Sequence, residues 1–120
     1  MTVKDIFKLS AALIGDKVNS DPEALELSVP VMNILLQESF KCENSMRIRD
    51  GQETLASAPF VTTVEDEIPY HEELVRAAMP YGVAWQLHQD AGNFSLAATY
   101  RNMFIDAVNS CYCFQMRKYT

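Results

Sequence analysis

The residues able to do chemistry are few: His71, His88, the cysteines Cys42, Cys111 and Cys113, and carboxylates gathered at Glu65, Asp66, Glu67, Glu72 and Glu73. Metal binding is the first chemistry their types suggest. On one helix His71 and His88 would stand 17 residues apart, about 25 Å at the rise of an α-helix, too far to share an ion. Cys111 and Cys113 make a C-x-C pair with no second pair, Cys42 alone is a poor third ligand, and neither HExxH nor CxxC occurs. No tetrahedral set assembles from these, so neither a metal nor a cofactor is expected. Nucleophilic catalysis lacks its parts as well, because no Ser or Cys lies in a recognisable elbow. His88 falls on an apolar stripe and reads as a half-buried, satisfied histidine, whereas His71 at a helix start reads as exposed. The four glycines, Gly15, Gly51, Gly82 and Gly92, are scattered singly and cannot build a phosphate cradle. No catalytic residue is expected. The acidic run from Glu65 to Glu73 has two readings: a solvated turn and helix start, or a surface for a hard cation or a basic partner.

The elements that must carry these residues are helical. Thr2 and Asp5 resemble a capping box, and Val3, Ile6, Phe7, Ser10, Leu13 and Ile14 repeat at helical spacing, which predicts a first helix over 3–14 that stops at Gly15. Asp21-Pro22-Glu23 is a second start signal: an N-cap, a proline where its missing N–H costs nothing, and an acid beside the positive helix end. The second helix runs on to about Met46 through Leu27, Val31, Ile34 and Leu35, kinked at Pro30. A third opens at Tyr70 with Leu74, Ala78, Tyr81, Trp85 and His88 on one face, interrupted at Pro80 and closed at Gly92. A fourth, after Asn93, carries Leu96, Tyr100, Met103, Ala107 and Cys111 beside Ala97, Phe104 and Val108; this wide apolar face predicts the most buried helix.

Between them lies a long connector over 47–69, uncommon in so small a domain and of a kind that often carries function. Within it Phe60-Val61-Thr62-Thr63-Val64 is β-branched and predicts a short strand that needs a partner. The tail at 110–120 adds Tyr112, Phe114, Met116 and Tyr119 without helical periodicity, a composition suited to interfaces or to folding back on the core. Phe60, Val61, Val64, Tyr112, Phe114, Met116 and Tyr119 are therefore the candidate partner contacts. The fold class expected is all-α: one domain over 1–120, a small bundle of about four helices, two interrupted by proline, with the connector and the tail appended.

Composition sets the outer limits. The chain has 120 residues, is 48% hydrophobic and 22% charged, and carries a net charge of −6, which fits one modest core that leaves room for burial against partners. No clustered Lys or Arg offers phosphates a footprint, so DNA is not expected to be gripped. The longest apolar stretches are far shorter than a membrane span. The start lacks the apolar core of a secretory signal, and three cysteines suit a reducing compartment as free thiols, so a cytosolic protein is expected.

At Glu67-Ile68-Pro69-Tyr70-His71-Glu72-Glu73-Leu74-Val75-Arg76-Ala77-Ala78-Met79-Pro80-Tyr81-Gly82 the chain resembles the small head–tail connector proteins of tailed bacteriophages and prophages. The likeness continues through Asp90 and Leu96-Ala97-Ala98-Thr99-Tyr100-Arg101-Asn102. The opening helix followed by Asp21-Pro22-Glu23-Ala24-Leu25 suits it too, so most of residues 1–108 is covered; the tail after 110 has no matching pattern. The resemblance implies a helical adaptor without enzymatic activity, made in the bacterial cytoplasm and built into the virion neck. There it would form a ring, commonly a dodecamer, between the portal protein and the next tail or stopper component, with DNA passing through unbound. In that scheme the last two helices form the rigid body, the connector meets a neighbour or the next tail component, and the tail docks on the portal. The alternative is a small cytosolic regulator or host-interaction protein, monomeric or dimeric, whose acidic Glu65–Glu73 run binds a basic partner.

Overall fold

In a computed structural model the protein is mainly helical, with no strand among the described residues; these are 1–15 and 22–117, with side chains described as far as Cys111. Five helices follow in order: α1 (Val3–Ile14), α2 (Pro22–Glu38), α3 (Phe40–Arg49), α4 (Glu72–Asp90) and α5 (Phe94–Arg117).

Local rules account for the ends of these helices. Thr2 Oγ1 accepts from the Asp5 N–H at 3.1 Å while the Asp5 carboxylate accepts from the Thr2 N–H at 3.0 Å, so two otherwise orphaned donors are satisfied reciprocally. The Thr2 backbone N–H, followed by the Thr2 hydroxyl, also holds the Asp5 carboxyl below its ordinary range. Gly15 ends α1 at φ 126° and Gly92 follows α4 at φ 80°, backbone conformations that side-chain-bearing residues resist. The expected N-cap of α2, Asp21, lies outside the described residues.

The second helix continues through Pro30 as expected, but it ends at Glu38, short of Met46. Pro30 and Pro80 lie inside unbroken helices, and the two residues whose carbonyls lose a helical donor, Glu26 and Arg76, are exposed, where water can replace it. The break falls at Ser39, which separates α2 from α3. Its buried hydroxyl donates to the Leu35 carbonyl at 2.7 Å, and its backbone turns to φ −99°, ψ 5°. A serine that bonds back one turn competes with the helical ladder and bends it.

The burial ranking is corrected as well. It is α4, packed against α1, α2 and α5, that is buried on most sides, with Leu74, Val75, Ala78, Met79, Val83 and Ala84 all inside. Gly82 permits that closeness: a Cβ there would stand 2.7 Å from both Leu35 methyls and 3.1 Å from Phe104 Cδ1. Helix α5 turns Ala97 and Phe104 inward but leaves Leu96 49% and Met103 42% exposed. Part of its wide apolar face therefore looks outward. Its backbone also stays helical to Arg117, so most of the tail is helix and not a separate irregular segment.

The connector wraps the bundle without forming a strand at 60–64. The Asn33 side chain brackets Val61, donating to its carbonyl at 2.9 Å and accepting from its N–H at 2.8 Å. Asn44 does the same for Leu55, at 3.0 and 2.8 Å. Because a side-chain amide already occupies Val61's hydrogen-bonding groups, no neighbouring strand is required there. The carbonyls of Val64 and Asp66 instead accept from the N–H groups of Lys4 and Val3, closing donors at the start of α1, beside an isolated bridge between Thr2 and Glu67.

Candidate interaction surface

Two regions stand out once the elements are in place, one polar and enclosed, the other apolar and open. The polar one centres on Glu43, whose side chain is fully buried on α3. One carboxylate oxygen accepts from the His71 backbone N–H at 2.7 Å. The other takes Arg47 Nε at 2.6 Å and faces His71 Nδ1 at 2.9 Å. The opposite ring nitrogen, Nε2, meets Asp50 at 2.8 Å. Asp50 is held in turn by Arg49, which also pairs with Glu73 at 2.7 Å, and Arg47 reaches the carbonyls of Glu53 and Pro69. The end of α3, both ends of the connector and the start of α4 are thereby tied together.

Electrostatics in this cluster favour fixed charge. Burial pulls the His71 imidazole down, but hydrogen bonds to Glu43 and Asp50, with the charges of both, outweigh it and raise the ring above its ordinary value. Asp50 is held down at about 2 by its hydrogen bonds to Arg49 and His71. An imidazolium facing a carboxylate at each nitrogen has no lone pair to offer a substrate, so the geometry makes a clamp. His71, expected to be exposed, is enclosed because two partners far apart in sequence close over it. Its ligands were not legible as a motif: the separations of 28 residues to Glu43 and 21 to Asp50 follow no local rule. His88, expected to be half-buried, is buried outright and stacked on Tyr100 with ring centroids 5.2 Å apart.

The acidic run is engaged within the chain. Glu65 meets Lys4 and Glu67 the Met1 amino group, while Glu72 meets Arg76 and Glu73 meets Arg49. Asp66 accepts from the backbone N–H groups of Thr62 and Thr63, which hold its carboxyl at about 2.

The apolar region lies where α2 faces the connector. Phe60 is 76% exposed and Ile34 51% exposed. With Ala58, Pro59, Asn33 and Gln37 they border one shallow groove. A second groove, along α3 between Phe40 and Ile48, continues past Gln37 and Glu38. The Asn33 bracket on Val61 fixes the connector directly beside Phe60, so this ring is presented from a tethered backbone. Further exposed apolar side chains lie elsewhere: Leu9 and Leu13 on α1, and Leu96 and Met103 on α5, the two helices being linked by the Tyr100 hydroxyl, which donates to the Leu13 carbonyl at 3.3 Å.

Of the candidate partner contacts, Phe60 is fully available and Val64 half-buried, but Val61 is 3% exposed and belongs to the core. Its alternation with Phe60 follows from an extended backbone lying on the bundle, one side chain in and the next out. The side chains of Tyr112, Phe114, Met116 and Tyr119 lie outside the described residues. No helix among the described residues is long and apolar enough to cross a membrane, and no group of three or more potential metal ligands occurs among them. Comparison with protein-family models, curated proteins and solved structures finds no match to this chain.

Proposed function

We propose that the chain is a non-enzymatic head–tail connector of a tailed phage or prophage, a ring-forming adaptor in the virion neck between the portal and the next tail or stopper component. The observation that carries this reading is the exposed apolar groove of Ile34 and Phe60, with further exposed apolar side chains on α1 (Leu9, Leu13) and on α5 (Leu96, Met103). A cyclic ring is built by heterologous contacts, in which each subunit presents two different surfaces to its two neighbours. Singly scattered apolar residues are ordinary on a protein surface, whereas clustered ones mark contact sites. The segment that carries the resemblance, Glu67 to Gly82, supplies Ile68, Tyr70, Leu74, Val75, Ala78 and Met79 to the core. The likeness therefore concerns the framework, and the surfaces are this chain's own. The net charge of −6 suits a channel through which DNA moves without being held.

The regulatory alternative, with the Glu65–Glu73 run binding a basic partner, is disfavoured by the ion pairs that already engage Glu65, Glu72 and Glu73. A basic ligand there would have to displace them. The test is to mix the purified chain with the portal protein encoded beside its gene and to examine the product by native mass spectrometry and electron microscopy. A ring of chains seated on the portal is expected; a portal that emerges bare at micromolar concentrations of both would contradict the reading.

A further inference from the structure

We infer that Cys42 and Cys111 are a dithiol pair that closes to a disulfide under sustained oxidation and staples α3 to α5. Cys42 is enclosed in the core, and its thiol donates to the Val108 carbonyl of α5 at 3.5 Å. A helical side chain leans back over the preceding turn, so Cys111, three residues beyond Val108, lies over that same carbonyl. The two thiols therefore lie on either side of the seam between α3 and α5, which pack against each other, close enough for each to perturb the other's ionisation.

Exposure sets the order of events. Cys111 is half-buried and Cys42 buried, so an oxidant such as hydrogen peroxide meets Cys111 first. The Cys111 sulfur attacks a peroxide oxygen, the O–O bond breaks, and one water leaves as the sulfenic acid forms. The Cys42 sulfur then displaces that hydroxyl, the S–O bond breaks as the S–S bond forms, and a second water leaves. Two thiols have lost two electrons and two protons in all, and the peroxide is reduced to two waters. Burial, followed by the neighbouring thiol, pushes Cys42 up to about 12, and burial raises Cys111 as well. So little thiolate makes closure slow, a lock set by long exposure and not a fast sensor. The bond would fix the base of the helical tail, which continues beyond Cys111 to Arg117, against α3. None of this depends on the connector reading.

The experiment incubates the reduced, full-length Cys113→Ser chain with hydrogen peroxide and follows intact mass, alkylation and thermal unfolding. Expected is a monomer lighter by about 2 Da that resists alkylation after unfolding in denaturant, reverts with dithiothreitol and melts roughly 5–10 °C higher than the reduced form. Cys42→Ser and Cys111→Ser, each in the same background, should abolish all four effects. Disulfide-linked dimers, sulfinic or sulfonic acid without an internal bond, or no reaction in the folded chain would each overturn the inference.

Discussion

The Glu43–His71 cluster and the Phe60 ridge are both formed where the connector meets a helix, yet they are opposite in character. At the cluster the polar groups are matched to one another and enclosed, so its energy is already realised within one chain. At the ridge an aromatic ring and an isoleucine remain in water, beside a backbone that Asn33 holds in place. Burial of that pair is available only to a partner. On the proposed reading, the difference separates what this protein needs to fold from what it would keep for association, and each side can be broken independently.

The largest effect is expected from the enclosed side. Glu43→Ala removes an acceptor that three donors share and leaves Arg47 Nε, the His71 backbone N–H and His71 Nδ1 without their partner, which should cost about 3 kcal/mol of stability in chemical denaturation. A loss below ~1 kcal/mol would show the cluster to be ornamental. Next is the tether. Asn33→Ala strips both hydrogen bonds from the Val61 backbone and should cost about 1–2 kcal/mol, with faster proteolysis of the connector near residues 58–64 as the local readout.

A smaller effect should appear on titration. The folded His71 pKa is raised above its unfolded value of about 6.5, so the stability it contributes is complete below that pH and lost as pH rises through the folded value. Asp50, held down by Arg49 and His71, and Arg49, held up by Asp50 and Glu73, keep their charges across this window. The gap in melting temperature between the native chain and His71→Gln should therefore be wider at pH 6 than at pH 9. A constant gap would mean that His71 acts by packing alone. The smallest effect belongs to the open side: Phe60→Ser should change stability by no more than about 0.5 kcal/mol, because the ring buries little in the free chain.

How far these two regions were legible in the sequence follows the same division. Caps and starts obey rules of three or four residues, so Thr2 with Asp5, Pro22 and Gly92 could be placed directly. Periodicity identified the apolar face of α5 but could not say which part a neighbouring helix would cover, and Leu96 and Met103 fall on the uncovered part. The 60–64 segment has strand composition, but a side-chain amide from α2 occupies the hydrogen bonds that a strand partner would need. Ser39 outweighs Pro30 as a helix breaker because its hydroxyl lies buried against the Leu35 carbonyl, a fact of tertiary placement. Glu43 and His71 meet across 28 residues, and nothing in either local sequence announces the other.

The most direct measurement of the central claim is the association of an Ile34→Asp/Phe60→Asp chain with its portal, read by native mass spectrometry beside its melting temperature. The account predicts a chain that melts within about 2 °C of the native one and no longer joins the ring. A doubly substituted chain that still assembles on the portal would contradict it.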